Sequence, residues 1–453
     1  MSTSAMQHQT SDKPAAGGCG EQMHALMREL FPLHRSQTGA GVRQSLQLLQ
    51  RVVPLEVNEV ESGTPVFGWT VPDEWTIRDA WIKDAQGRRL VDYQQSNLHV
   101  VGTSQGIRET MTFAELRPHL HSLPEHPEWI PYRTNHFQEG WGFCLSDSQL
   151  DQLRQAGPDA EYEVCIDAEM QPGSLSYGEL LLPGETDEQV LVSTHICHPS
   201  LANDNLSGIV VAAYLAAQLQ QAPRRLSYRF LFLPATIGPI AWLALNRDVI
   251  PHIHHGLVLA CLGDSGPVTY KRSRRSRQSR AAVDQAVELV LRDRGTPHEI
   301  REFSPTGYDE RQYCSPGFDL PVGRLTRTPN GEFAEYHTSA DNLEFVQPEC
   351  LADSLDCCLE IIGALEANVT YQNTHPWCEP PLGSAGLYDG YGACDPKRAA
   401  LQEAVQWVLN FSDRRHSLLD IAQRSSLPLA DLHEAAKRLV ACELIQQSDQ
   451  IQP

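Results

Sequence analysis

The sequence predicts an α/β protein built on a mostly parallel sheet, with an inserted β-rich segment and a helical C-terminal domain. Three observations predict it. From residue 161 to residue 324, apolar runs such as QVLVSTHICHP, YRFLFLPATIG and HHGLVLACLGD alternate with helical runs such as LSGIVVAAYLAAQLQ. Buried strands separated by amphipathic helices imply parallel pairing. Across residues 67–144 aromatic and turn residues replace that pattern, with period-two alternation near residues 90–101. Beyond the Pro-, Gly- and Tyr-rich passage HPWCEPPLGSAGLYDGYGACDP, residues 397–446 turn helical.

The elements follow in chain order. Residues 1–20 are polar, small and Gly-rich, and are expected to be disordered. Helices are expected over 21–33 and 41–53, opening a main domain that comprises 21–66 and 145–375, with 67–144 as the inserted β-rich domain. The run YEVCIDAEM begins the strand–helix alternation. A helix is expected at 280–294, a strand at 320–324 and a closing helix at 348–367. The C-terminal domain, 397–453, contains SLLDIAQRSSLPLADLHEAAKRLVACELI, a short helix, a turn and a second helix, and it resembles a winged helix. Asp431 and Glu434 on that second helix, with few cations near them, argue against a DNA reader.

A chain of 453 residues exceeds what one core usually organises, so several domains are expected. The net charge of −21 would repel a phosphate backbone, and nucleic acid is not expected as a partner. No stretch approaches the roughly 20 apolar residues of a membrane span, and the first twenty residues lack a signal-peptide core. A cytoplasmic location without membrane association is expected; self-association is left open. The twelve cysteines show no metal-type spacing, and Cys197 and Cys261 read as buried structural thiols.

The chemistry concentrates in Thr194-His195-Ile196-Cys197-His198-Pro199, at the end of an apolar strand, followed by Asn203-Asp204-Asn205-Leu206-Ser207-Gly208 at a helix start. A strand end presents His195 at the carboxyl edge of a parallel sheet, where open α/β folds place their sites. Asp204 follows one loop later. Alone, each residue reads as a strand-end histidine or a helix cap. Two further segments change that: Gly263-Asp264 after GLVLACLGD, and Glu335-Tyr336-His337-Thr338-Ser339-Ala340-Asp341. Mixed histidine and aspartate ligands suit zinc better than magnesium or calcium.

These residues resemble the ligand order of the co-catalytic zinc aminopeptidases, a family that includes the glutaminyl cyclases: His, bridging Asp, Glu-Glu, Asp, His. The resemblance implies His195, Asp204, Asp264 and His337 as metal ligands, with His198 less important than His195. Tyr308, beside Asp309 and Glu310, falls where the family carries a polar loop and is a candidate substrate contact. The phrases VPDEWTIRDAWI, SNLHVV, IPYRTN, WGFC, THICHPSLANDNLSG, YKRSRR and EYHTSADNL resemble a narrower family of aminopeptidase-like proteins labelled for polysaccharide biosynthesis, which adds an inserted module and a C-terminal winged helix.

The chain departs from the pattern at Ala235-Thr236-Ile237-Gly238, where the family has its Glu-Glu pair. In the family one glutamate is the general base and the other a ligand. The implied inventory here is therefore one zinc, with a second left open, and a replacement base sought first at Glu335 and then at Glu310. Arg274 and Arg275, in the basic run Lys271–Arg277, are candidate contacts for an anionic substrate group. The expected activity is zinc-dependent hydrolysis of an amide bond in a small peptide or aminoacyl-type metabolite. The rival expectation is a metal-binding scaffold that has lost this chemistry with the Glu-Glu pair.

Overall fold

Alternate side chains of the central strands divide between two cores, which decides where the helices lie. Val190, Val192, Phe230 and Phe232 point to one face, and Leu191, Leu231, Leu233 and Val258 to the other. Both faces being covered, strands Gln189–His195 and Ser227–Leu233 are buried along their whole length. The computed structural model describes residues 16–136, 138–277, 281–387 and 396–448. Eight strands form the main sheet, in the order Glu56–Glu61, Ser174–Leu182, Ser227–Leu233, Gln189–His195, Ile253–Leu259, Val322–Thr326, Val268–Lys271, His298–Arg301. The four central strands are parallel; antiparallel pairings join them to the edges.

Helices Ala16–Leu30, Ala40–Leu49, Gly208–Gln220, Ala282–Arg294 and Pro348–Glu366 cover the first face, and Ile237–Leu245, with the fully buried Trp242, covers the second. Helix Ala16–Leu30 starts inside the stretch expected to be disordered; residues 1–15 of that stretch lie outside the described residues. The reason is tertiary. Met23, Met27 and Leu30 form a buried stripe at helical spacing, and a side chain at Gly20 would collide with the Pro348 carbonyl. Close packing overrides the low helix propensity of the glycines.

The inserted sheet, in the order Arg89–Asp92, Glu74–Lys83, Glu161–Gln171, Ile107–Thr112, corrects the expected boundary at residue 144. Strand Glu161–Gln171, expected to open the parallel pattern, instead pairs antiparallel with Glu74–Lys83 and Ile107–Thr112. Its composition explains this: Tyr162, Val164 and Ile166 point into the module's core while Asp167 and Glu169 face Arg78 at the surface, the half-buried alternation of an antiparallel strand.

The C-terminal domain begins earlier than residue 397. Strand Thr370–Asn373, expected in the main domain, forms a three-stranded sheet with Asp413–Ser417 and Ile445–Ser448, beside helices Pro396–Phe411, Leu418–Ser425 and Leu429–Ala441. This domain packs on helix Ala282–Arg294. Arg292 Nη2 donates to the Leu427 carbonyl at 3.1 Å, and Asp293 accepts from the Leu429 amide at 3.2 Å. Among the described residues no helix is long and apolar enough to cross a membrane.

Candidate metal centre and its cavity

His195 is the last residue of its strand, at the carboxyl edge of the parallel region. The chain then passes through Cys197 and His198 to the turn Ala202–Ser207, where Asp204 (φ −108°, ψ 83°) and Asn205 (φ −143°, ψ 30°) leave helical geometry before helix Gly208–Gln220 begins. The distortion aims Asp204 back at the strand end. Its amide and that of Asn203 donate to the Asp341 carboxylate at 2.9 and 2.6 Å, and Asn205 Nδ2 donates to the His195 carbonyl at 3.0 Å. Gly208 permits the close approach, because any side chain there would meet the Leu259 carbonyl.

The fully buried Asp204 carboxylate joins three groups. His195 Nε2 lies 2.8 Å from Oδ1, His337 Nε2 lies 3.0 Å from Oδ2, and the Tyr308 hydroxyl donates to Oδ1 at 3.0 Å. The Tyr308 ring stacks on His195 with centroids 4.6 Å apart. His198 completes the arrangement: His195, His198 and Asp204 each present a ligand atom within 4.8 Å of the others. His198 Nδ1 is buried and has no hydrogen-bond partner among the described residues. Two imidazoles and a carboxylate gathered in this way, one imidazole nitrogen unused, with the His337 imidazole on the other carboxylate oxygen, are a donor set that fits a borderline cation such as zinc.

Ionisation states suit ligation. Burial would raise Asp204, but its interaction with His198 and the hydrogen bonds from His195 and His337 outweigh it and hold the carboxyl well below the usual range. Burial lowers His198 to about 3, with neighbouring His195, His337 and Arg35 acting the same way against Asp204. Its ring is neutral, the form that binds a metal. Cys197 is pushed up by burial to about 12, and Cys261 is raised well above its ordinary value for the same reason, so both remain thiols.

Asp264 stands apart from this group. The strand ends at Leu259, and the Asp264 carboxylate accepts from Asn203 Nδ2 (2.9 Å), the Gly266 amide (2.7 Å), the Thr328 amide (3.2 Å) and Thr328 Oγ1 (2.6 Å). Its acceptor capacity is spent fastening loops, which corrects its expected role as a ligand. Glu310 is also engaged elsewhere: it is fully buried, 2.6 Å from Lys271 Nζ and 3.6 Å from Arg324 Nη1. That ion pair corrects its expected role as a base.

A cavity of about 1050 Å³ opens beside the histidines. Tyr308, His198, His337, Ala235 and Thr236 line it, and Glu335 does not, which corrects the first-choice base. Arg274 lines the cavity and also pairs with Asp319 at 2.6 Å. Arg275, likewise bound to Asp319, lines a different cavity with Arg247 and His254, correcting its assignment to this substrate site. Lys271 and Arg272 are held by Glu310, Glu288 and Glu302. Most of the basic run is thus neutralised locally.

Several members of the site escape a reading of the sequence. His198 carried a signal, the His-x-x-His spacing with His195. Asp341 lay within a quoted motif, but no pattern reveals that it grips the Asp204 loop. The inserted module supplies a third group: Tyr132, Arg133, Thr134 and His136 line the cavity, and the Tyr132 amide donates to the His337 carbonyl at 2.7 Å. Tyr132 meets the His337 ring edge-on, and Tyr336 stacks on it at 3.9 Å.

Residues 24–368 match a family described as a domain of unknown function, DUF4910, and residues 369–447 match a winged helix-turn-helix family. The chain belongs to the DUF4910 family. This DUF4910 protein is 44% identical over 428 residues, 94% of its length and 96% of the relative's, to a Clostridium acetobutylicum protein provisionally named as a polysaccharide biosynthesis protein with an aminopeptidase-like domain. Among solved structures it resembles a Clostridium acetobutylicum protein provisionally called a peptidase, with 42% identity, 96% and 97% of the two chains covered and a TM-score of 0.89. A zinc aminopeptidase from Bacillus subtilis shares the fold at 14% identity, covering 77% and 94% of the chains with a TM-score of 0.53. The DUF4910 domain thus has an aminopeptidase-like fold and carries a winged helix behind it.

Proposed function

We propose that this DUF4910 protein is a zinc-dependent hydrolase of an amide bond in a small peptide or aminoacyl-type molecule, with His195, His198, Asp204 and His337 holding one cation. The observation that carries this reading is the convergence of three imidazoles on one buried carboxylate at the edge of a cavity large enough for a small substrate. Bound there, zinc supplies Lewis acidity towards a carbonyl and eases deprotonation of water. The chain's own residues orient the reactants. Tyr308 fixes Asp204, and Asp341 fixes the loop that carries it. Burial and nearby Asp204 raise the Tyr308 hydroxyl well above its ordinary value, so it remains a hydrogen-bond donor. That single proton is committed to Asp204, so the hydroxyl's task is to hold the carboxylate in place.

One observation favours the rival reading of a scaffold that binds metal and ligand without turnover. Ala235 and Thr236 line the cavity at the family's Glu-Glu position, and among the described residues no carboxylate lines it. The two readings separate experimentally. Zinc-loaded protein is assayed against a panel of aminoacyl, N-acyl-aminoacyl and dipeptidyl amides, alongside Asp204→Asn. Hydrolysis that disappears in the variant supports the enzyme. Stoichiometric zinc binding without hydrolysis of any panel member favours the scaffold, and failure to bind zinc removes both.

A further inference from the structure

Acids outnumber bases in this chain by 57 to 36, so a cavity lined by two dozen residues would hold about three carboxylates if its lining followed the composition. Among the described residues the lining contains none. It holds Arg133, Arg274 and Arg311, together with His136, His198 and His337. The inversion is local, and the arginines arrive from separate parts of the fold: Arg133 from the inserted module, Arg274 from the turn after strand Val268–Lys271, and Arg311 from helix Glu310–Tyr313.

Their pairing differs. Arg274 shares Asp319 with Arg275. Arg133 and Arg311 are exposed, and no carboxylate lies within ion-pairing distance of either among the described residues. Asp309 feels the charge of Arg311 but is fully buried and absent from the lining, as is Asp204, and Glu310 is bound to Lys271. Two unpaired guanidinium groups thus face a cavity whose wall offers no acceptor charge for an ammonium group. An aminopeptidase substrate brings a free α-ammonium, which needs such an acceptor. Here the only fixed charges it would meet among the described lining residues are guanidinium groups.

From this charge inventory we infer that the substrate is anionic: an amide that carries a carboxylate or phosphate group gripped by Arg133 and Arg311, with its amine acylated or absent. Planar guanidinium forks pair with either anion in two-point geometry, so the shared chemistry is a planar or tetrahedral oxyanion. The inference rests on the hydrolase reading only for the identity of the scissile bond. It also gives the inserted module a task, since Arg133 and Tyr132 reach the cavity from it.

The test separates binding from turnover. The probes are N-succinyl-alanine p-nitroanilide, blocked and anionic, and alanine p-nitroanilide, which has a free ammonium. Binding to the zinc-loaded full chain is read by calorimetry and hydrolysis by release of p-nitroaniline. The expected result is at least a tenfold preference for the succinyl compound, lost tenfold or more in Arg133→Gln/Arg311→Gln and unaltered in Arg108→Gln, which lies on the inserted sheet away from the cavity. Competition by succinate against competition by inorganic phosphate distinguishes the two anions. Anion-dependent binding without hydrolysis supports this inference and favours the scaffold over the hydrolase. Hydrolysis of the free-amine probe that is indifferent to the arginine substitutions supports the hydrolase and overturns the inference. Absence of succinyl-probe binding at millimolar concentration, in protein with a wild-type melting temperature, overturns it as well.

Discussion

Asp309 sits beneath the site with its carboxylate fully buried, and neither oxygen has a hydrogen-bond partner among the described residues. Burial pushes its pKa up to about 7, against the opposing pull of His195. In the unfolded chain an aspartate titrates near ~4. The folded protein therefore retains a proton that the unfolded chain has already released. A raised acid of this kind stabilises nothing at high pH: its penalty is absent below the unfolded value, grows as pH rises and is complete above about 7. A separation of about three pH units corresponds to roughly 4 kcal/mol, of which roughly 2.5 kcal/mol develops between about pH 5 and about pH 8. Asp309→Asn keeps the shape and removes the ionisation. In metal-free protein, urea unfolding should show the variant gaining on the wild type by that amount over this window, whatever fixed offset the buried amide introduces. A stability difference that does not change with pH would refute the account of Asp309 as a buried, unpaired carboxyl.

Other outcomes follow from the same geometry. His198→Ala should lower zinc stoichiometry as much as His195→Ala does, measured by elemental analysis after dialysis; full zinc retention would remove His198 from the ligand set. Glu335→Gln should leave zinc content and turnover unchanged, because Glu335 lies outside the cavity lining, and a loss of about 10²-fold in kcat would return it to the role of base. Phe230→Ala, on a central strand with no exposed surface, should cost about 3–5 kcal/mol in urea unfolding. The full chain should show no salt-dependent DNA binding in gel shifts, since the first turn of helix Leu429–Ala441 is docked on Asp293 and the chain carries −21 charges.

How much of this was legible in the sequence depended on whether a residue's role is set by its own segment. Strands Gln189–His195 and Ser227–Leu233 announce themselves because a strand buried on both faces must be apolar throughout. Strand Glu161–Gln171 carried a legible alternation too, but its partners, Glu74–Lys83 and Ile107–Thr112, lie about 50 to 100 residues earlier in the chain, and only pairing assigns it to the inserted sheet. Carboxylates were least legible. Asp204, Asp264, Asp341 and Glu310 all sit in motif-like contexts, yet one meets imidazoles, one fastens loops, one holds backbone amides and one pairs with Lys271. Sequence supplies the group, and only tertiary structure supplies its partner.

The inserted module and the site depend on each other through a single loop. His337 adopts a left-handed backbone conformation (φ 55°), which a non-glycine residue holds at a penalty of about 1–3 kcal/mol unless its surroundings fix it. Here they do. The Tyr132 amide binds the His337 carbonyl at 2.7 Å, the Ile130 amide donates to Ser339 Oγ at 2.9 Å, and the Ser339 amide returns a bond to the Ile130 carbonyl at 2.8 Å. These contacts come entirely from the insertion, whereas His195 ends a strand of the sheet domain and Asp204 lies in the turn that follows it. Each part alone would leave the constellation incomplete: the sheet would keep His195 and Asp204 but lose the clamp that orients His337, and the insertion would present Tyr132 and Arg133 to solvent. A fold in which the last histidine is aimed by a separate module couples assembly of the metal centre to closure of the cavity over it. Tyr132, whose amide holds the His337 carbonyl, also lines the cavity with its neighbour Arg133.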